Sequence, residues 1–301
     1  MDVEDSSGTV VSFAFDQHTV DALLYHPITD RAHMEQKPAI LRLHGILGNL
    51  LDETEHDLPA VLAAAGYSSL TMNTLLANLG LFFGFGIFDD AMAQIAAGCQ
   101  FLRQLGFKRI IVAGHGLGGC MAIRYGALAS DPATPSDIMG IIAVATPYSM
   151  PDTIRRRWGR FGSEPSYDEV YRRAQRLFKP RPEERSTQDE IIVIKRAHGG
   201  TARPEHTDIY TLKTWWALAG PEAEGAEVYR HIGQIRLPLL LVHGAQDDLI
   251  ERSEFAALSR LASQSGNPDV TAIELDANHT FDGKHEELGQ LMIRWLTERY
   301  G

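Results

Sequence analysis

A chain of 301 residues, 44% hydrophobic and 22% charged, has the composition of an ordinary globular protein and can bury a large core without disulfide or metal staples. Its formal net charge of −11 argues against nucleic acid as a partner, because phosphate binding needs a basic face. The start MDVEDSSGTV has neither the basic nor the apolar region of a secretory signal, no apolar run is long enough to span a bilayer, and Cys99 and Cys120 stand in no disulfide or metal pattern, so a reducing cytoplasm is the expected setting.

Residues Val10 to Pro27 alternate in polarity on either side of a turn-like DQH and predict an antiparallel hairpin. KPAILRLHG (Lys37 to Gly45) is a short apolar strand running into a glycine loop. DLPAVLAAAG puts Leu58, Val61, Leu62 and Ala65 on one helical face with Gly66 as the stop, and YSSLTM follows as a strand. From Asp89, a helix carries Met92, Ile95, Cys99, Leu102 and Leu105 on one face and ends at Gly106. KRIIVAG then reads as a strand, GHGLGG as a turn, CMAIRYGALA as a helix and IMGIIAVATP as a strand. The chain closes with LPLLLVHG (strand), RSEFAALSRLASQSG (helix), VTAIELDANH (strand) and HEELGQLMIRWLTERY (helix).

Strands alternating with helices imply a mostly parallel, twisted sheet with helices on both faces. The alternation breaks between Pro151 and Arg236, where only irregular helical pieces are legible. The expected organisation is an α/β core of residues 1–150 and 237–301, with a mainly helical cap or lid at 151–236, lying over the carboxyl ends of the strands.

GHGLGG after one strand, HGILGN after an earlier one, HGAQDDLI after a later one and ANHTF near the end together resemble the α/β-hydrolase fold family. The likeness covers nearly the whole chain outside the insertion. It implies a nucleophile elbow in which small residues two before and two after the nucleophile let strand and helix pack closely. Gly114 and Gly118 hold those flanking positions, and the nucleophile's own position is Gly116, which has no side chain. By the same resemblance, the backbone N–H groups of Leu117 and Ile46 form the oxyanion hole, His279 is the base and Asp247 its orienting acid, with Asp248 as the rival for that role. His44 and His115 read as loop supports. Neither a metal nor an organic cofactor is implied.

Without a nucleophile, covalent acyl transfer should lose on the order of a millionfold in rate. Cys120, one turn into the next helix, reads as a buried thiol and no substitute. Three readings follow. The chain is a hydrolase of carboxylic esters, thioesters or amides with a largely apolar acyl part, present in a form that lacks its serine, whether by nature or by engineering. Alternatively it is a ligand-binding pseudoenzyme, or a lyase or oxygenase in which His279 and Asp247 act without a hydroxyl. In each case the partner is a small molecule; the oligomeric state stays open.

Two stretches are candidates to shape the pocket. The apolar run Leu75 to Phe88 starts at the carboxyl edge of the sheet, where open α/β sheets bind ligands, and offers Phe82, Phe83 and Phe85 as lining; Trp215 reads equally as a lid aromatic or as lid core. TIRRRWGR and VYRRAQRLFKPRPEER make the insertion locally basic. Any of these arginines facing inward would suit a carboxylate or phosphate, whereas a solvated helix face is the plainer reading.

Overall fold

The computed structural model describes residues 8–26, 36–78, 86–133, 137–179, 190–198 and 201–301. Eight strands form the central sheet. A hairpin pairs β1 (Thr9–Phe15) with β2 (His18–Tyr25), and β2 runs antiparallel to β4 (Ser69–Met72). The remaining strands are parallel: β3 (Ala39–Leu43), β5 (Ile110–His115), β6 (Ile138–Val144), β9 (Leu239–Gly244) and β10 (Val270–Leu275). Their order across the sheet is β1-β2-β4-β3-β5-β6-β9-β10.

Continuous apolar strands mark a sheet buried on both faces. Within β5, Ile110 and Val112 enter one core while Ile111 and Ala113 enter the other. The first core receives Met92, Ile95 and Cys99 of α2 (Ala91–Gln104) and Met121 and Ile123 of α3 (Leu117–Ala129). The second receives Leu58 and Leu62 of α1 (Glu53–Ala64) and Leu288 and Trp295 of α8 (His285–Tyr300). Helix α7 (Arg252–Gln264) adds Leu258 and Ala262 to the first core.

Helix α1 begins at Glu53, a turn ahead of the predicted Asp57. A buried ion pair explains the extension. Arg42 of β3 binds Glu55 at 3.0 Å and donates to the Thr54 carbonyl at 2.9 Å, tying the first turn to the sheet.

Between β6 and β9 the chain leaves the sheet. It forms α4 (Met150–Arg160), α5 (Tyr167–Phe178), a ribbon of β7 (Ile191–His198) and β8 (Thr201–Thr211), α6 (Leu212–Ala219) and three short 3-10 turns. The antiparallel ribbon departs from the expected irregular helical pieces. Its physical cause is alternation: Ile192 and Ile194 are buried while Ile191 and Val193 are exposed. The basic run on α5 is a solvated face. Val170 and Ala174 are buried, and Arg173 binds Glu190 at 2.7 Å on the outer side.

The strand order places the topological switch at β3, whose neighbours β4 and β5 are reached by crossovers in opposite directions. The loops after β3 and β5 diverge there, which opens a crevice at the carboxyl edge. Among the described residues, no helix is long and apolar enough to cross a membrane.

Candidate active site

Strand β5 ends at His115 and α3 starts at Leu117, so one residue makes the whole turn. That residue, Gly116, has φ 54° and ψ −112°, a region that costs a residue with a side chain about 1–3 kcal/mol. Its N–H donates to the Val144 carbonyl at 2.9 Å and its carbonyl accepts from the Cys120 N–H at 3.2 Å, which fixes the turn between β6 and the first turn of α3. The flanking glycines are there for contact. A Cβ on Gly114 would overlap the Gly118 backbone, one on Gly118 the Leu43 carbonyl, and one on Gly119 the Thr146 hydroxyl. At Gly116 the space is open: among the described residues a Cβ there would meet only His279 Nε2, at 3.8 Å.

His279 stands on the loop after β10 and is oriented from behind. Its Nδ1 lies 2.7 Å from Asp247 Oδ2. The carboxylate can only accept, so Nδ1 donates and Nε2 faces position 116. Burial alone would push the Asp247 carboxyl up, but the His279 hydrogen bond and charge, with the N–H groups of Ile250 and Leu249, hold it below its ordinary value. Those two amides donate to Asp247 Oδ1 at 2.9 and 2.8 Å. Asp248, the rival acid, is exposed and its carboxylate binds Arg160 at 3.4 Å instead.

Two further histidines brace the loops. His115 donates from Nε2 to the His279 carbonyl at 2.8 Å, with the rings 4.9 Å apart. Burial, reinforced by the neighbouring His279, lowers its pKa to about 3. His44 donates from Nδ1 to the Gly45 carbonyl at 2.8 Å and accepts at Nε2 from the Thr74 N–H at 3.2 Å; burial lowers its pKa to about 4. Both rings are therefore neutral fixtures near pH 7.

A cavity of about 540 Å³ opens above the turn, with Gly116, Leu117, Ile46 and His279 among its lining residues. Leu117 is the first residue of α3, so its N–H has no carbonyl one turn earlier within the helix. Cys120 lies buried beneath the elbow with its thiol against the Gly116 carbonyl at 3.5 Å; burial pushes the thiol far up, away from the nucleophilic thiolate.

The remaining pocket candidates fare differently. Phe82, Phe83 and Phe85 lie outside the described residues, and Phe88 is buried in the core. Trp215 is fully buried against Trp158 and Tyr167 and is not part of the cavity wall, because its ring fills the interior of the segment between β6 and β9. Instead, Met150, Thr153 and Arg157 of α4 line the cavity. Their i, i+3, i+7 spacing was a legible signal of one helical face, as was the basic composition of that helix, but neither singles out Arg157 among its neighbours.

No curated protein matches the chain. Solved structures do match in fold. The chain is similar to Est1E from Butyrivibrio proteoclasticus, at 15% identity and a TM-score of 0.65, over 97% of this chain and 98% of that one. It is similar to the Pyrococcus furiosus esterase Pf2001, at 18% identity and a TM-score of 0.64, over 99% and 92%. It is also similar to DcsB, solved in complex with its substrate analogue, at 13% identity and a TM-score of 0.70, over 98% and 99%. A family model described as the alpha/beta hydrolase family matches residues 44–288, from the loop after β3 to the start of α8. The chain belongs to the alpha/beta hydrolase family.

Proposed function

We propose that the site is that of a carboxylic ester, thioester or amide hydrolase whose nucleophilic serine is replaced by Gly116. One observation carries this reading: the open direction at Gly116 leads to the free Nε2 of an imidazole already held by a buried carboxylate. A hydroxyl one bond beyond that Cβ comes within hydrogen-bonding reach of Nε2. His279 would take its proton as the oxygen attacks the substrate carbonyl, then return it to the leaving group, while Asp247 stabilises the imidazolium between the two transfers. The N–H groups of Ile46 and Leu117 would receive the developing oxyanion. Residues 151–236 act as a cap over a core of residues 1–150 and 237–301. Esterase names among the structural neighbours agree with this substrate class.

The Gly116 chain has no group to form an acyl intermediate, so in this form it binds such ligands and holds them. Restoring the hydroxyl by Gly116→Ser and assaying short and medium chromogenic esters tests the reading. Hydrolysis above the Gly116 form is expected, and activity no higher than the Gly116 form across the panel would reject it. A lyase or oxygenase would instead already be active as Gly116 and lose that activity in His279→Ala.

A further inference from the structure

The arginines of α4 differ in what they touch. Arg155 lies over the Tyr167 ring at 5.3 Å. Arg156 pairs with Glu254, and Arg160 with Asp248. Arg157 alone of the four lines the cavity. Among the described residues no carboxylate lies within ion-pair distance of it, its Nε is buried without a hydrogen-bond partner, and its closest ring contact is Phe161 at 5.9 Å.

Its surroundings add a second guanidinium, with a carboxylate of its own. In the β7–β8 ribbon the buried Ile192 and Ile194 stand opposite Tyr210 and Asp208, and Arg196 follows two residues on, at a shift in register. Arg157, Arg196, Asp208 and Tyr210 enclose a small cavity that shares Arg157 with the large one. Asp208 is engaged by Arg196 at 3.0 Å. Asp248, the other nearby carboxylate, is drawn outward by Arg160. The half-buried Asp208 carboxylate is thus taken up by Arg196, and Arg157 beside it has no ion-pair partner among the described residues. Burial, and then the Arg196 charge, act against the Arg157 cation, a cost that an incoming anion would relieve.

We infer that Arg157 is a specificity residue that binds a carboxylate on the substrate's distal end, so the preferred ligands are monoesters or related acyl derivatives of dicarboxylic acids. The inference rests on the hydrolase reading of the cavity. A planar guanidinium with a free edge matches a carboxylate bidentately. Asp52 and the Arg42-paired Glu55 also line the cavity, so among the described residues Arg157 is the one cation there to meet an anion, which suits a monoanion better than a dianionic phosphate. Gly116 and Arg157 both belong to the wall of one cavity of about 540 Å³, room for an acyl chain between the two.

Binding tests this on the Gly116 protein as it stands. Monoethyl esters of the dicarboxylic acids from succinate to suberate are titrated by calorimetry at pH 7.5, each against the ethyl ester of the monocarboxylic acid of equal carbon number. At the favoured length the charged ester should bind about tenfold tighter or more, as a charge-assisted hydrogen bond implies. In Arg157→Met that preference should vanish while the neutral ester binds as before; thermal unfolding of the variant checks that it is folded. Charged esters binding no tighter than neutral ones at every length, including no binding of either, would overturn the inference. So would an equal loss for both ligands in Arg157→Met. The outcome is separable from the hydrolase reading: Gly116→Ser that hydrolyses neutral esters without charge preference rejects only the role of Arg157, whereas charge-selective binding without hydrolysis by Gly116→Ser rejects only the hydrolase.

Discussion

His279 Nε2 lies 3.8 Å from the point where a Cβ on Gly116 would stand, and among the described residues, outside the immediate chain neighbours, no other heavy atom comes within 4 Å of that point. The neighbouring glycines differ sharply, since at Gly114 and Gly118 the added carbon falls on backbone. Close packing explains those two glycines; at Gly116 the backbone conformation favours glycine, but the space would admit a side chain.

The contrast is measurable as stability. Gly116→Ala should cost about 1–3 kcal/mol, the strain of its backbone region. Gly118→Ala should cost more, because Leu43 at the end of β3 must move. Urea unfolding of the two variants decides it, and equal losses would show that the elbow is not packed as described.

The acid is testable in the serine-restored background. Asp247→Asn added to Gly116→Ser should lower kcat by on the order of 10⁴, through loss of the Nδ1-protonated tautomer and of imidazolium stabilisation. Asp248→Asn should change it little, since that carboxylate is exposed and turned to Arg160. Comparable losses in both would assign the orienting role wrongly.

Most of the core was legible because local and global signals coincide. IIVAGH is β-branched, apolar and followed by glycines, and it is the central strand; ANHTF follows a strand and carries the imidazole. Other features depend on partners distant in sequence. Which arginines of TIRRRWGR are paired with a carboxylate is set by Glu254 and Asp248, roughly ninety residues onward. Trp215 read equally well as lid aromatic or interior, and only packing against Trp158 distinguishes them. The β7–β8 ribbon did carry a signal, in the alternating burial of Ile191 to Ile194, but it was obscured by the surrounding charge.

Acid sensitivity follows from the bracing histidines. His44 and His115 have folded pKa values of about 4 and about 3 against an unfolded value of about 6.5. Below pH 6.5 the unfolded chain therefore binds more protons at both, and stability falls as pH is lowered. Once each is protonated in the unfolded state, it contributes a slope of about 1.4 kcal/mol per pH unit, down to its folded pKa. His115→Gln should remove about half of the combined slope between pH 6 and 4.5 in urea titrations. An unchanged slope would mean that His115 is not held neutral.

The buried pair under α1 should be asymmetric. Arg42→Met strands the Glu55 carboxylate, already pushed up by burial and held down by Arg42, and should cost about 3–5 kcal/mol. Adding Glu55→Leu should recover part of that loss, because the double variant buries no unpaired charge. If the double variant is less stable than Arg42→Met, the pair is not the source of the cost.

Covalent trapping reports the convergence on position 116 most directly. Gly116→Ser is treated with an alkyl fluorophosphonate and its intact mass and peptide map are read, beside the Gly116 chain and Gly116→Ser/His279→Ala. Stoichiometric modification at residue 116 is expected in the serine form, strongly slowed without the imidazole and absent in the glycine chain. A folded Gly116→Ser protein that stays unmodified, or reacts equally fast without His279, would contradict it.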